Sequence, residues 1–332
     1  MKKISTIGIV YETKDDALAT GMPVERLYHW RENSEIASIN SAIKKAGFKT
    51  VLIGSPAKLS ERIQYFRKRV DFIFNLSVGF ITRYRLSQGP SLYSLAGIPY
   101  SGADAYTKMV SQNKQLQKAF FDKLNLPTPS WSYIHSKEEI SACKFPKHPV
   151  IVKPAYEGSS IGIYPGSLSR NCKETRLKAA GLFKSHKMPL LIENFIAGKE
   201  YKVGIIGSLP GVFIAMIEDT LADGTPLGKE FIHLSAKKDI TFSKKPADIN
   251  RKEFKALRDD CLKIYRLLGP MDYATFDIRM DKSGRHYFLE VNADATLHPL
   301  RTLAKCCALH NMDFDSMIQF ILNSSLKRQG LQ

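Results

Sequence analysis

The sequence predicts a mixed α/β fold that opens on a parallel layer, and three observations carry that reading. Short apolar runs rich in β-branched residues recur at Ile4–Val10, Thr50–Ile53 and Asp71–Leu76. Helix-like stretches separate them, the alternation of a parallel α/β unit. Of the 332 residues, 44% are hydrophobic and 24% charged, enough for a packed core and too apolar for a disordered or collagen-like chain. At roughly 150 residues per domain, the length suits two domains or three small ones.

Ile4–Val10 follows Met1-Lys2-Lys3 and stops at Tyr11-Glu12 without a small-residue cleavage site, so it reads as a buried strand and not as a secretion signal. Ser34–Ala46 is helical, with Ser34 as the expected N-cap and Gly47 as the stop. Another helix is expected from about Ser111 to Leu124. Asn125-Leu126-Pro127-Thr128-Pro129 cannot continue it, because the residue before a proline avoids the helical region. A change of domain is expected near this helix. Val150-Ile151-Val152-Lys153-Pro154 is a strand entering a small polar loop, and Leu190–Glu193 and Tyr201–Gly207 are further strands. The polar, lysine-rich segment from Ala222 to Pro246 reads as a long loop, a candidate lid. Thr275–Met280 and Tyr287–Asn292 form a hairpin about Asp281-Lys282-Ser283-Gly284. Leu300–Leu322 is expected to be helical. No apolar run approaches the ~20 residues that a membrane-spanning helix requires, so no membrane partner is expected.

Forty-nine Lys and Arg against 32 Asp and Glu leave a formal charge of +17. That charge suits polyanions, acidic or phosphorylated small molecules, or simply a solvated basic surface. No nucleic-acid-binding module accompanies it, and the basic-aromatic stretch Tyr65-Phe66-Arg67-Lys68-Arg69 is too sparse to stand for one. No nucleic-acid partner is therefore expected. The five cysteines, at 143, 172, 261, 306 and 307, contain no CxxC pair, which argues against a disulfide framework or a zinc ribbon and fits a reducing cytoplasm. Cys306 and Cys307 are expected to sit inert in a helix.

The most informative constellation is Asp277 on one strand with Glu290 and Asn292 on its hairpin partner. Residues i and i+2 of a strand share a face, so Glu290 and Asn292 point together, and an antiparallel neighbour can bring Asp277 beside them. Two carboxylates and an amide oxygen suit Mg²⁺, which takes one or two carboxylates and completes its shell with water and phosphate oxygens. The alternative is a solvent-facing strand surface, against which the flanking Phe288, Leu289 and Val291 argue for partial burial.

Lys153-Pro154-Ala155-Tyr156-Glu157-Gly158-Ser159-Ser160-Ile161-Gly162 places a lysine at a strand end, followed by a loop whose small residues let backbone N–H groups wrap an anion. It is not a Walker A loop, since no Gly-Lys-Ser/Thr follows. Glu193-Asn194-Phe195-Ile196, followed by Gly198-Lys199-Glu200, offers a strand edge for the edge of an adenine and a carboxylate for ribose hydroxyls. Singly, these segments are an ordinary turn and a strand leaving the core.

Taken in order, Lys114, the Lys153–Gly162 loop, the Glu193–Glu200 segment, Ala236-Lys237, and Asp277 with Leu289-Glu290-Val291-Asn292 resemble the ATP-grasp superfamily, and within it the D-alanine–D-alanine ligases. The resemblance runs from about Pro99 onward. It implies a three-domain ATP-grasp fold, divided here as an N-terminal α/β domain over 1–113, a central subdomain over 114–192 and a C-terminal catalytic domain over 193–332. By resemblance, Lys114 and Lys153 contact the nucleotide phosphates and Ser159 and Ser160 close on them. Glu193, Phe195 and Ile196 hold the adenine, and Glu200 the ribose. Lys237 reaches the γ-phosphate, and Asp277, Glu290 and Asn292 bind two Mg²⁺ ions, or Mn²⁺ in their place. The implied chemistry is ATP-dependent joining of a carboxylate to an amine through an acyl phosphate, on amino acid or peptide substrates. A homodimer is also implied.

The sequence departs from that family on the substrate side. Thr275 stands where the family has an arginine, and Arg279, on the same strand face, is the candidate replacement. Asn292-Ala293-Asp294-Ala295-Thr296-Leu297-His298-Pro299 replaces the family's Asn-Thr-x-Pro-Gly-x-Thr. Ser77-Val78-Gly79-Phe80-Ile81-Thr82 occupies the neighbourhood of its Gly-Glu-Asp-Gly. Asp294 is a candidate for a substrate ammonium or a helix cap, and His298 for a base, a carboxylate ligand or a structural ring. Arg83 and Arg85 face an acidic substrate or, on the blander reading, lie in a solvated loop. A degenerate nucleotide-binding protein without ligase activity is the alternative function.

Overall fold

The computed structural model describes residues 4–80, 82–235 and 242–332. Its elements form three sheets. The first is parallel, with strand order β2-β1-β3, where β1 is Thr6–Val10, β2 Lys49–Gly54 and β3 Phe72–Asn75. The short helix α1 (Lys14–Ala19) follows β1. Helix α2 (Asn33–Lys45) lies on the sheet through Ile36, Ile39, Ala42 and Ile43, the spacing of one helical face. It starts ahead of the expected Ser34 cap, because Glu32 occupies the cap position while its side chain is drawn off to Lys14 Nζ at 2.6 Å. Gly47, at φ +89°, ends it. Helices α3 (Pro56–Glu61), α4 (Ile63–Arg67) and α5 (Arg85–Leu95) complete this layer.

The helix expected from Ser111 is two helices, α6 (Ala105–Gln112) and α7 (Lys114–Lys123). Asn113 separates them by taking an extended backbone and accepting, through Oδ1, from the N–H groups of Gln115 and Leu116 at 3.0 and 3.3 Å. A four-stranded antiparallel sheet follows, in order β4-β7-β5-β6: β4 Trp131–Ile134, β5 Val150–Pro154, β6 Leu168–Ser169 and β7 Leu190–Asn194. Helix α8 (Cys172–His186) covers it, packing Ala179 and Phe183 on Val150, Val152 and Ile192.

The third sheet is antiparallel, in order β10-β9-β8-β11-β12: β8 Lys199–Ile206, β9 Phe213–Leu221, β10 Phe242–Ala247, β11 Tyr273–Met280 and β12 His286–Asn292. Helix α9 (Lys255–Leu268) packs on it, and Phe121 of α7 meets Phe288 of β12. The segment expected as one long loop to Pro246 thus ends in a strand, β10, paired with Met216–Leu221. Its lysines hid it in the sequence, and they are what an edge strand carries to avoid further pairing.

The helix expected over Leu300–Leu322 is also two, α10 (Thr302–Ala308) and α11 (Phe314–Arg328), with Asn311 left-handed between them and Asp313 capping the second. Met317, Ile318, Ile321 and Leu322 of α11 share one core with Ile7, Ile9, Ile39 and Phe74 of the parallel layer. Asp272 ties the same region together, accepting from Gly102 N at 2.7 Å, Ser325 Oγ at 2.6 Å and Arg328 Nε at 2.7 Å. No helix among the described residues is long and apolar enough to cross a membrane.

Candidate active site

A cavity of about 900 Å³ receives side chains from β5, β7, β8, β11 and β12. Asp277 and Glu290 stand directly opposite each other in the β11–β12 ladder, with a register shift after Asp277. Asn292 lies on the same face and donates from Nδ2 to Glu290 Oε1 at 3.1 Å. Each carboxylate also meets a lysine from another element. Lys202, beside Asp277 in the β8–β11 ladder, reaches Asp277 Oδ2 at 2.9 Å, and Lys114 of α7 reaches Glu290 Oε2 at 2.6 Å. Burial pushes the Asp277 carboxyl up to about 6 against the opposing pull of Lys202, and the Glu290 charge adds to the rise. Burial also raises Glu290, but Lys114 and Lys153 outweigh it and hold that carboxyl well below its ordinary value.

Glu193 of β7 forms ion pairs with Lys153 of β5 at 2.5 Å and Lys118 of α7 at 3.0 Å. Burial pushes Lys118 down to about 8, and Lys153 lowers it further while Glu193 opposes the shift. Phe195 and Ile196 continue from β7 along the cavity wall. The Arg279 guanidinium lies over the Phe195 ring, 4.9 Å from its centroid, and donates to the carbonyls of Glu230 at 2.6 Å and Gly198 at 3.2 Å. Its Nε is 3.6 Å from Glu200 Oε2, and Glu200 also takes Lys202 at 2.8 Å. Arg279 is therefore engaged at the Phe195–Glu200 end of the cavity, whereas Thr275, four residues back along β11, stands opposite Asn292.

Ser159 and Ser160 have φ of +55° and +60°, a left-handed conformation costing each non-glycine residue roughly 1–2 kcal/mol. Glu157 holds this loop against the parallel layer through Arg26 at 2.7 Å and His29 at 2.6 Å. Burial raises the Glu157 carboxyl, but the His29 hydrogen bond and the charges of His29, Arg26 and Arg85 overcome it and leave the group at about 2.

The substrate-side candidates divide. Asp294 lines the cavity, but its carboxylate is paired with Lys108 at 2.5 Å and Arg31 at 3.2 Å, both buried cations of the chain itself. His298 accepts from Leu300 N at 3.0 Å through Nδ1, and its Nε2 is 3.5 Å from Glu32. Arg83 is exposed, whereas Arg85 is not in a solvated loop: it is the first residue of α5, buried and facing the cavity. Lys237 lies outside the described residues. Cys306 and Cys307 are buried in α10 as free thiols, and burial pushes Cys307 up to about 12. Sequence reasoning missed Lys202, Lys118 and the Arg26–His29–Glu157 contact. Lys202 shares strand parity with Glu200, and Lys118 sits one helical turn beyond Lys114, so two of the three were accessible by spacing.

A family model described as D-ala D-ala ligase C-terminus matches residues 120–323. The chain is 29% identical to the D-alanine–D-alanine ligase of Aquifex aeolicus over 70% of its own length and 75% of that ligase. It is 26% identical to the D-alanine–D-alanine ligase of Syntrophotalea carbinolica over 96% and 98%. Its fold superposes on the crystal structure of the Bacillus anthracis D-alanine–D-alanine ligase complexed with ATP with a TM-score of 0.70 at 17% identity, covering 98% of this chain and 99% of that one.

Proposed function

The chain belongs to the D-alanine–D-alanine ligase family, ATP-grasp enzymes that use ATP and Mg²⁺, and from that premise we propose that it joins a carboxylate to an amine through an acyl phosphate, on amino acid or peptide substrates that need not be D-alanine. The observation that carries this reading is the facing pair Asp277–Glu290, with Asn292 beside it, in a cavity lined by lysines. The donor set fits a hard cation. It offers two carboxylates and an amide on one face, and the Asp277 carboxyl, held at about 6 by burial, lacks full compensation by positive charge. Asp277, Glu290 and Asn292 would hold Mg²⁺ with water and phosphate oxygens completing the shell. A bound Mg²⁺ supplies charge neutralisation and polarises the transferred phosphoryl group.

The chain's own residues do the rest. Lys114 and Lys153 turn from Glu290 and Glu193 to the nucleotide phosphates, and the N–H groups around Ser159 and Ser160 wrap them. The Phe195–Ile196 edge takes the adenine and Glu200 the ribose hydroxyls. We assign Arg279 to this nucleotide end, in place of the acyl-group role expected from the sequence, because its donors already serve Gly198 and Glu230. Lys237 is assigned to the γ-phosphate on the resemblance alone. The substrate carboxylate attacks the γ-phosphorus and ADP leaves; the amine then attacks the acyl carbon and inorganic phosphate leaves. Both steps concentrate negative charge, which the lysines stabilise, and closure of the 155–162 loop keeps water from the acyl phosphate.

The test is phosphate release from Mg²⁺-ATP with D-alanine alone and then with pooled D- and L-amino acids and dipeptides, with products identified by mass. ADP, phosphate and a new amide support the ligase. Tight ATP binding without turnover across the panel favours a nucleotide-binding protein, a reading consistent with the lysines already seated on Asp277 and Glu290.

A further inference from the structure

Arg85 differs from the other buried cations at the cavity. Arg31, Lys114, Lys153 and Lys202 each have a carboxylate partner, at 3.2, 2.6, 2.5 and 2.9 Å. Arg85 is 8% exposed, and among the described residues no carboxylate pairs with it. Its Nη1 donates to the Val78 carbonyl at 2.8 Å and its guanidinium lies 5.9 Å from the Trp30 ring, and among the described residues Nε and Nη2 have no hydrogen-bond partner. The carboxylates whose charges act on it are all committed elsewhere: Glu157 to Arg26 and His29, Asp294 to Lys108 and Arg31, and Glu12 to the N–H of Val78.

The position is built and not accidental. Trp30 backs the guanidinium, stacked on Phe80 and fixed by its Nε1 to the Gly79 carbonyl at 3.1 Å. Gln112 accepts from Leu86 N and donates to the Thr82 carbonyl, holding the chain on both sides of Arg85. A buried guanidinium that lacks its counter-ion is costly to the fold, and its planar fork takes a carboxylate through two parallel hydrogen bonds. We propose that Arg85 receives a non-reacting carboxylate of the substrate, so that the cavity selects a substrate carrying an anionic group besides the carboxylate that is activated. This rests on the ligase reading for which group reacts, and not for the anion site itself.

The carboxylate has two sources, the α-carboxylate of the amine acceptor or an acidic side chain of the acyl donor, and the test separates them. Calorimetry with Mg²⁺ and β,γ-imido-ATP present would titrate amino acids and dipeptides against their α-carboxamides, and glutamate and aspartate against glutamine and asparagine. Wild-type protein is expected to bind at least one acid tenfold or more tightly than its amide. The matching pair names the source. The preference should fall below threefold in R85Q, weaken by more than threefold in R85K and stay unchanged in R83Q, the exposed neighbour. Should R85Q fail to fold, R85K decides. The proposal is overturned if no acid is preferred, if no acid binds, or if the preference survives in R85Q or is unaltered in R85K. An Arg85-dependent preference, with no ADP or amide formed when ATP replaces the imido analogue, would overturn the ligase reading and leave the anion site standing.

Discussion

Asp277 and Glu290 face each other across one step of the β11–β12 ladder, and a lysine from a different element closes on each, Lys202 from β8 and Lys114 from α7. Two carboxylates so placed repel unless positive charge lies between or beside them. The pair is thus a charge trap whose present occupants are ammonium groups.

Glu290→Gln keeps the shape and removes the charge. Phosphate release from Mg²⁺-ATP should fall at least about 100-fold with any substrate, and Asp277→Asn should behave alike. Full activity in either variant would sink the metal assignment.

Asp272, wholly buried, ties Gly102 to Ser325 and Arg328. Asp272→Ala removes the acceptor of Gly102 N and the carboxylate partner of the partly exposed Arg328 and should cost about 1–3 kcal/mol, read as a lower midpoint in urea. A loss under about 1 kcal/mol would mean that the knot is mere proximity.

The Glu157 carboxyl is depressed from 4.5 to about 2 in the folded protein. A lowered carboxyl stabilises above its unfolded value and loses that contribution as pH falls through the folded one. Acid titration of stability should therefore show about 3 kcal/mol disappearing between pH 4.5 and 2. Glu157→Gln should flatten that part of the curve; an unchanged slope would remove the Arg26–His29 contact from the account.

Thr275→Arg restores the family's residue at a position where Gly204 and Asn292 are the ladder neighbours and only 6% is exposed. Overpacking should cost about 1–3 kcal/mol, lowering the melting temperature without creating D-alanine-dependent phosphate release. A large gain in that activity would show that the departure from the family is one residue deep.

Much of this was legible from spacing. The parity of Glu290 and Asn292 and the hairpin at Asp281–Gly284 place their side chains together with no knowledge of the rest. Breaks within helices were not, since Asn113 and Asp313 act as caps only once the neighbouring helix is turned away by packing. Strand β10 was hidden because Lys244 and Lys245 look like loop residues until β9 supplies the partner. Arg85 could be placed near the substrate, but its burial depends on Trp30, 55 positions away in the chain, and long-range burial leaves no local signature.

The packing of α11 on the parallel layer has a consequence for synthesis. Strands β1 to β3 leave the ribosome early, yet one wall of their core is Met317, Ile318, Ile321 and Leu322. Until those residues emerge, the core that holds Ile7, Ile9 and Phe74 is covered by α2 alone and lacks its second wall. The first layer made is thus the last to be finished, and a nascent chain arrested before α11 should bind hydrophobic dyes and be cut by protease within residues that are protected in the complete protein.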